Sequence, residues 1–127
     1  MTDEELQQTL RSAAQPHWKV KGNGVNVRLP DGRSQTVYLM LSADSIQLES
    51  PVASVDNFES PMDAAIFLSE QHEGLVAMYL RIVDGNIMAR KEMPFSGFTE
   101  TELQVGIQDL AVEADRIEWL ATGLDEG

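Results

Sequence analysis

Hydrophobic and polar positions alternate in two distinct ways along this chain. The last stretch, from Phe98-Thr99-Glu100-Thr101-Glu102-Leu103 to Leu124, carries Leu103, Ile107, Leu110, Ala114, Ile117 and Ala121 at alternating spacings of four and three. That period predicts a helix with one narrow apolar stripe, which needs a flat apolar surface to lie on. Thr99 with Glu102 three residues later forms a capping box that opens it. The same device, Thr2 with Glu5, opens a short first helix through Leu6 and Leu10 that stops before Pro16.

A period of two marks the strands. Trp18-Lys19-Val20-Lys21 and Val25-Asn26-Val27-Arg28-Leu29 flank Gly22-Asn23-Gly24, which predicts a hairpin. Pro30-Asp31-Gly32 is a second turn, followed by strands over 36–41 and 45–49. A strand over 75–83 and another over 86–93 meet at Asp84-Gly85, the dipeptide of a type I′ turn. Between the strands over 45–49 and 75–83, Ser60-Pro61-Met62-Asp63 starts a second helix, with a capping serine and proline at the first helical position, running to about Glu73 with Gly74 as its C-terminal cap. The order α-ββββ-α-ββ-α predicts an α+β fold, a twisted antiparallel sheet with helices on one face. At 127 residues a single α+β domain over 1–127 is expected, burying roughly two-thirds of its unfolded surface.

Pairing outward from Asp84-Gly85 sets Val83 opposite Asn86, Ile82 opposite Ile87 and Leu80 opposite Ala89. Val76, Met78, Leu80 and Ile82 then face the helices, with Trp18, Val20, Val25, Val27, Val37, Leu39, Ile46 and Leu48 from the earlier strands. The opposite face receives Tyr79, Arg81, Met88 and Arg90, with Lys19, Lys21, Arg28, Tyr38 and Met40. The second helix is apolar nearly all round at Ala64-Ala65-Ile66-Phe67-Leu68, so either it is buried or it meets another subunit. Val105, Val112 and Trp119 recur every seven residues on the far side of the last helix. They contact either the first helix through Leu6 and Leu10 or a partner chain.

Charge sharpens the picture. A net charge of −12 argues against nucleic acid and against anionic membrane surfaces. Of the nine basic residues all but Arg11 and Arg116 lie in strands or their turns, so an acidic helical layer would back a basic sheet face. That face is either a surface for an extended, partly acidic peptide or an ordinary solvated sheet face. No apolar run reaches membrane-spanning length, the N-terminus is acidic, and cysteine is absent, all consistent with a cytoplasmic protein.

Catalytic signatures are lacking. His17 and His72 have no ligand spacing, Gly22-Asn23-Gly24 lacks the lysine and helix of a phosphate loop, and no serine stands in a nucleophile elbow. Glu100 with Glu102 and Glu113 with Asp115 read as caps and solvated surface. Neither a metal, a cofactor nor an enzymatic activity is implied.

Phe95, Phe98-Thr99-Glu100 with Glu102-Leu103, and Glu113-Ala114-Asp115-Arg116-Ile117 resemble the bacterial YbjN-type family, whose members are similar in fold to class I type III secretion chaperones. The chaperone resemblance implies a small acidic cytosolic homodimer that holds a partner segment extended without ATP, its second helix contributing to dimerisation. The expected partner-binding residues are Tyr38, Met40, Tyr79, Arg81, Met88 and Arg90, and the expected dimer residues are Met62, Ile66, Phe67 and Trp119. The alternative is an acidic immunity or inhibitor protein that covers a basic enzyme surface with Asp109, Glu113 and Glu118.

Overall fold

Helix initiation follows the caps. In the computed structural model, which describes residues 1–75, 77–96 and 98–123, the hydroxyl of Thr2 accepts from the Glu5 amide, and those of Ser60 and Thr99 accept from Asp63 and Glu102. The three helices are α1 (Asp3–Ala13), α2 (Pro61–His72) and α3 (Glu100–Glu118). The strands are β1 (Trp18–Lys21), β2 (Gly24–Arg28), β3 (Ser34–Leu41), β4 (Ser45–Ser54), β5 (Tyr79–Val83) and β6 (Asn86–Pro94). They form one antiparallel sheet in the order β1-β2-β3-β4-β6-β5.

Register follows the turns. Asp84 and Gly85 both adopt positive φ (50° and 78°), as a type I′ turn requires, and Val83–Asn86, Ile82–Ile87 and Leu80–Ala89 pair as expected. Inward-facing Val25, Val27, Val37, Leu39, Ile46 and Leu48 are buried to 1% exposure or less. Against them lie Leu103, Ile107, Leu110, Ala114 and Ile117 of α3, which crosses β3, β4 and β6. On one flank of α3 sits α1, with Leu6 and Leu10 fully buried and the Gln104 amide donating to the Ala13 carbonyl (2.9 Å). On the other flank lies α2, beside β5, where Phe67 and Phe58 share a cleft with Leu120 and Ala121. All three helices thus occupy one side of the sheet.

Several boundaries differ from the sequence expectation. The strand expected over 75–83 begins only at Tyr79, because Ala77 turns the backbone to φ 60° and interrupts the extended chain. Gly74 does not take the left-handed conformation of a capping glycine; Glu73, in the right-handed region, is the cap residue. The strand expected to end at Glu49 continues to Ser54, since a register break between Pro51 and Ala53 absorbs the proline while pairing with β6 goes on. The last helix leaves α geometry at Glu118 and closes in a π turn, Trp119–Gly123. There Thr122 Oγ1 donates to the Glu118 carbonyl (2.8 Å), and a Cβ at Gly123 would sit 3.1 Å from Trp119 Nε1. Val76 and Leu124, expected inward and at the helix end, lie outside the described residues.

The buried stripe of α3 is wider than the six spaced positions. Gly106, Ala111 and Asp115 are buried as well. Gly106 allows the helix to approach the sheet, for a Cβ there would come within 2.9 Å of Met93 Sδ and 3.3 Å of Leu48 Cδ1. Ile82 faces the helix side by register yet is 46% exposed on the edge strand β5.

Candidate functional site

The face of the sheet opposite the helices is built by alternation along each strand. Lys21, Gly24, Tyr38, Glu49, Arg90 and Tyr79 form one row across all six strands. Tyr38 lies over Gly24, whose missing side chain leaves room: a Cβ there would stand 3.5 Å from the ring. Next to this row come Pro51, Met88 and Arg81, and on its other side Met40, Gln47 and Glu92.

All six residues expected to bind a partner occur on this face, arranged as a band rather than a cluster. Tyr38 (49% exposed), Met40 and Arg81 are exposed, whereas Tyr79, Met88 and Arg90 are half-buried. Tyr38 and Tyr79 are three strands apart, roughly 14 Å at ordinary strand spacing. Between them Arg90 is ion-paired to Glu49, donating from Nε (3.0 Å) and from its terminal nitrogen. Burial lowers the Arg90 pKa, but the combined hydrogen-bonding and charge interactions with Glu49 and Tyr79 outweigh that and raise it above its ordinary value.

The face is therefore less basic than charge counting suggested. Glu49 and Glu92 share it, while Lys91 pairs by register with inward-facing Leu48. Arg33 is held by Asp115 on the helix side (2.9 Å). What remains basic is one end, with Lys19, Lys21 and Arg28 exposed, and Arg81 at the other.

Of the residues expected at a dimer contact, Met62 (68%), Ile66 (49%) and Trp119 (48%) are exposed. Phe67 is half-buried and packs on Phe58 with ring centroids 5.1 Å apart. Only Ala64 of α2 is buried, so intramolecular burial does not account for that helix's apolar surface. Val105 and Val112 are 53% and 45% exposed, and α1 covers neither them nor Trp119; the expectation of contact with Leu6 and Leu10 is replaced by an uncovered ridge.

Among the carboxylates proposed for an inhibitor surface, Asp109 is exposed, Glu113 accepts from Arg116 (2.9 Å) and Glu118 lies 4.0 Å from Arg33. Asp115, read from sequence as solvated, is buried. Burial raises its pKa, Arg33 opposes that, and Asp31 adds to it; Glu118 is likewise raised, chiefly by burial. Periodicity alone gave no signal for this cluster, since Arg33 and Asp115 are far apart in the chain. Sequence reasoning also missed the buried pair in which the Gln35 amide donates to Ser50 Oγ (2.9 Å), and a concavity that His17, Lys19, Asn26, Arg28 and Ser34 share on the outer face. Among the described residues no group of three acidic or histidine side chains could hold a metal ion, and no helix is long and apolar enough to cross a membrane.

No protein-family model matches the chain, and no curated protein matches it. Solved structures do. The chain is similar to one in the crystal structure of the ExsC–ExsE complex, with a TM-score of 0.61 at 11% identity over 94% of this chain and 92% of that one. A chain of the HopA1–SchA chaperone–effector complex gives 0.49 at 14% identity over 83% of each. The first of these likenesses shows a shared fold, an antiparallel sheet with three helices in the order α-ββββ-α-ββ-α.

Proposed function

We propose that this protein is a non-enzymatic, chaperone-like binding module of the cytoplasm that holds an extended segment of another protein against the outer face of its sheet. The observation that carries the reading is the uncovered sheet itself. Six strands present tyrosine, methionine and arginine side chains on a side that none of the three helices covers. Methionine adapts to varied apolar side chains, tyrosine offers area with a polar tip, and arginine pairs with carboxylate. That the fold is shared with a chain from a two-protein complex supports the same reading. The YbjN-type affiliation remains part of this proposal and rests on Phe95, Phe98-Thr99-Glu100 with Glu102-Leu103, and Glu113-Ala114-Asp115-Arg116-Ile117.

A homodimer completes the proposal, with Met62, Ile66 and Trp119 at the contact. Replacing Met62 and Ile66 by Asp is expected to halve the light-scattering mass while leaving the far-ultraviolet dichroism unchanged; a wild-type protein that is already monomeric removes the dimer. The inhibitor alternative has less support, because Glu113 and Glu118 are already engaged with arginines of the same chain.

Tyr38→Ala combined with Arg81→Glu tests the sheet face, since both side chains are exposed and make no ion pair among the described residues. The double variant should recover at least tenfold less of the native partners in affinity purification from the source cells. Recovery equal to wild type would contradict the proposal. Arg90 is unsuitable for this purpose, because Arg90→Glu would set two carboxylates opposite each other at Glu49.

A further inference from the structure

At one end of the outer face, β1, β2 and the start of β3 enclose a concavity of about 300 Å³. His17, Lys19, Asn26, Arg28 and Ser34 line it. Pairing brings them together: Lys19 faces Asn26, Arg28 faces Ser34, and the Arg28 amide donates to the His17 carbonyl (3.0 Å). Lys19 and Arg28 are thus diagonal neighbours on one face, close enough for both long side chains to reach one ligand. The chain has 21 carboxylate side chains, yet among the described residues none lies within ion-pair distance of Lys19 or Arg28. Arg33, Arg90 and Arg116 are paired, whereas Arg11, Lys21, Arg81 and Lys91, like Lys19 and Arg28, make no ion pair among the described residues. The His17 imidazole is turned toward the helix layer, its Nε2 2.9 Å from Gln108 Oε1 and 3.1 Å from the Trp18 indole nitrogen.

We infer that this concavity anchors carboxylate side chains of an acidic, extended peptide, with Lys19 and Arg28 as the charged contacts and Asn26 and Ser34 as neutral hydrogen-bonding groups. The inference rests on the reading of the outer face as the peptide surface, and it assigns that surface an acidic end. Charge complementarity supports it, because two unpaired cations in a chain of net charge −12 form a local attractive site within a field that otherwise repels acidic peptides.

A fluorescein-labelled decapeptide alternating glutamate with valine, and the same peptide with glutamine for glutamate, make the test by fluorescence polarisation. The glutamate peptide should bind wild type at least tenfold more tightly than the glutamine one, and Lys19→Glu with Arg28→Glu should erase that advantage. Equal binding of the two peptides, absence of binding, or an advantage retained by the variant would each overturn the inference. Amide shifts in the wild-type protein supply an independent measure should the variant fold poorly. Changes at Lys19, Asn26, Arg28 and Ser34 support the anchor. Changes confined to Tyr38, Tyr79 and Arg81 remove it while sparing the outer-face reading, and changes confined to the helices remove both.

Discussion

Two helices of the same layer, α3 and α2, are held in very different ways. Eight of the 19 residues of α3 are buried, and glycine at position 106 brings its axis close to the sheet. Of the 12 residues of α2 only Ala64 is buried, while Met62 and Ile66 stand in solvent. Both helices open on a capping hydroxyl, so local initiation does not separate them. What differs is the fate of the apolar side chains: in α3 they complete the core, and in α2 much of their surface is left over. A helix can therefore be well specified by its ends and still contribute little to the core that holds the sheet.

The largest test of that contrast is truncation. Leu110→Ala in α3 should cost about 2–5 kcal/mol in urea unfolding, as cavities in closed cores do, whereas Ile66→Ala in α2 should cost under about 1 kcal/mol. Comparable losses at the two sites would erase the distinction. Next in size is Gly106→Val, whose branched side chain must displace Met93 and Leu48; about 1–3 kcal/mol is expected, read as a lower thermal midpoint. A neutral outcome would mean that α3 does not lie as close to β4 and β6 as described.

The smallest effect concerns the charged end of α3. The Asp115 carboxyl is raised because burial outweighs the attraction of Arg33, so the folded protein binds its proton more readily than the unfolded chain does. Its contribution is then greatest below the unfolded carboxylate value and declines as pH rises through the folded one, with Glu118 acting in the same direction. Asp115→Asn should flatten the fall in urea midpoint between about pH 4 and about pH 7. An undiminished slope would show that this carboxyl does not carry it.

Much of this architecture could be read from local pattern. Capping hydroxyls placed the helix starts, and Asp84-Gly85 set the β5–β6 register to the residue, because a two-residue turn leaves no slack. Where the reading failed, a distant neighbour decided the outcome. The strand expected to end at Glu49 runs on past Pro51 to Ser54, because β6 keeps pairing with it through a bulge. Asp115 looked solvated because its partner Arg33 lies in a turn 82 residues away. The outer face was legible as a set of alternating positions, Tyr38, Met40, Tyr79, Arg81, Met88 and Arg90. Its electrostatics were not, since the neutralisation of Arg90 depends on Glu49 arriving opposite it from another strand.

An open sheet ends in two strands paired on one side only, and here both are short: β1 has four residues and β5 five, against eight, ten and nine in β3, β4 and β6. Lys19 and Lys21 add repulsion along the first rim, and the Ala77 kink stops the second from lengthening. Rims this brief offer few free amides and carbonyls to a neighbouring molecule, so runaway stacking of copies into a continuous ribbon is discouraged. The broad side can stay open to others without inviting aggregation through its margins.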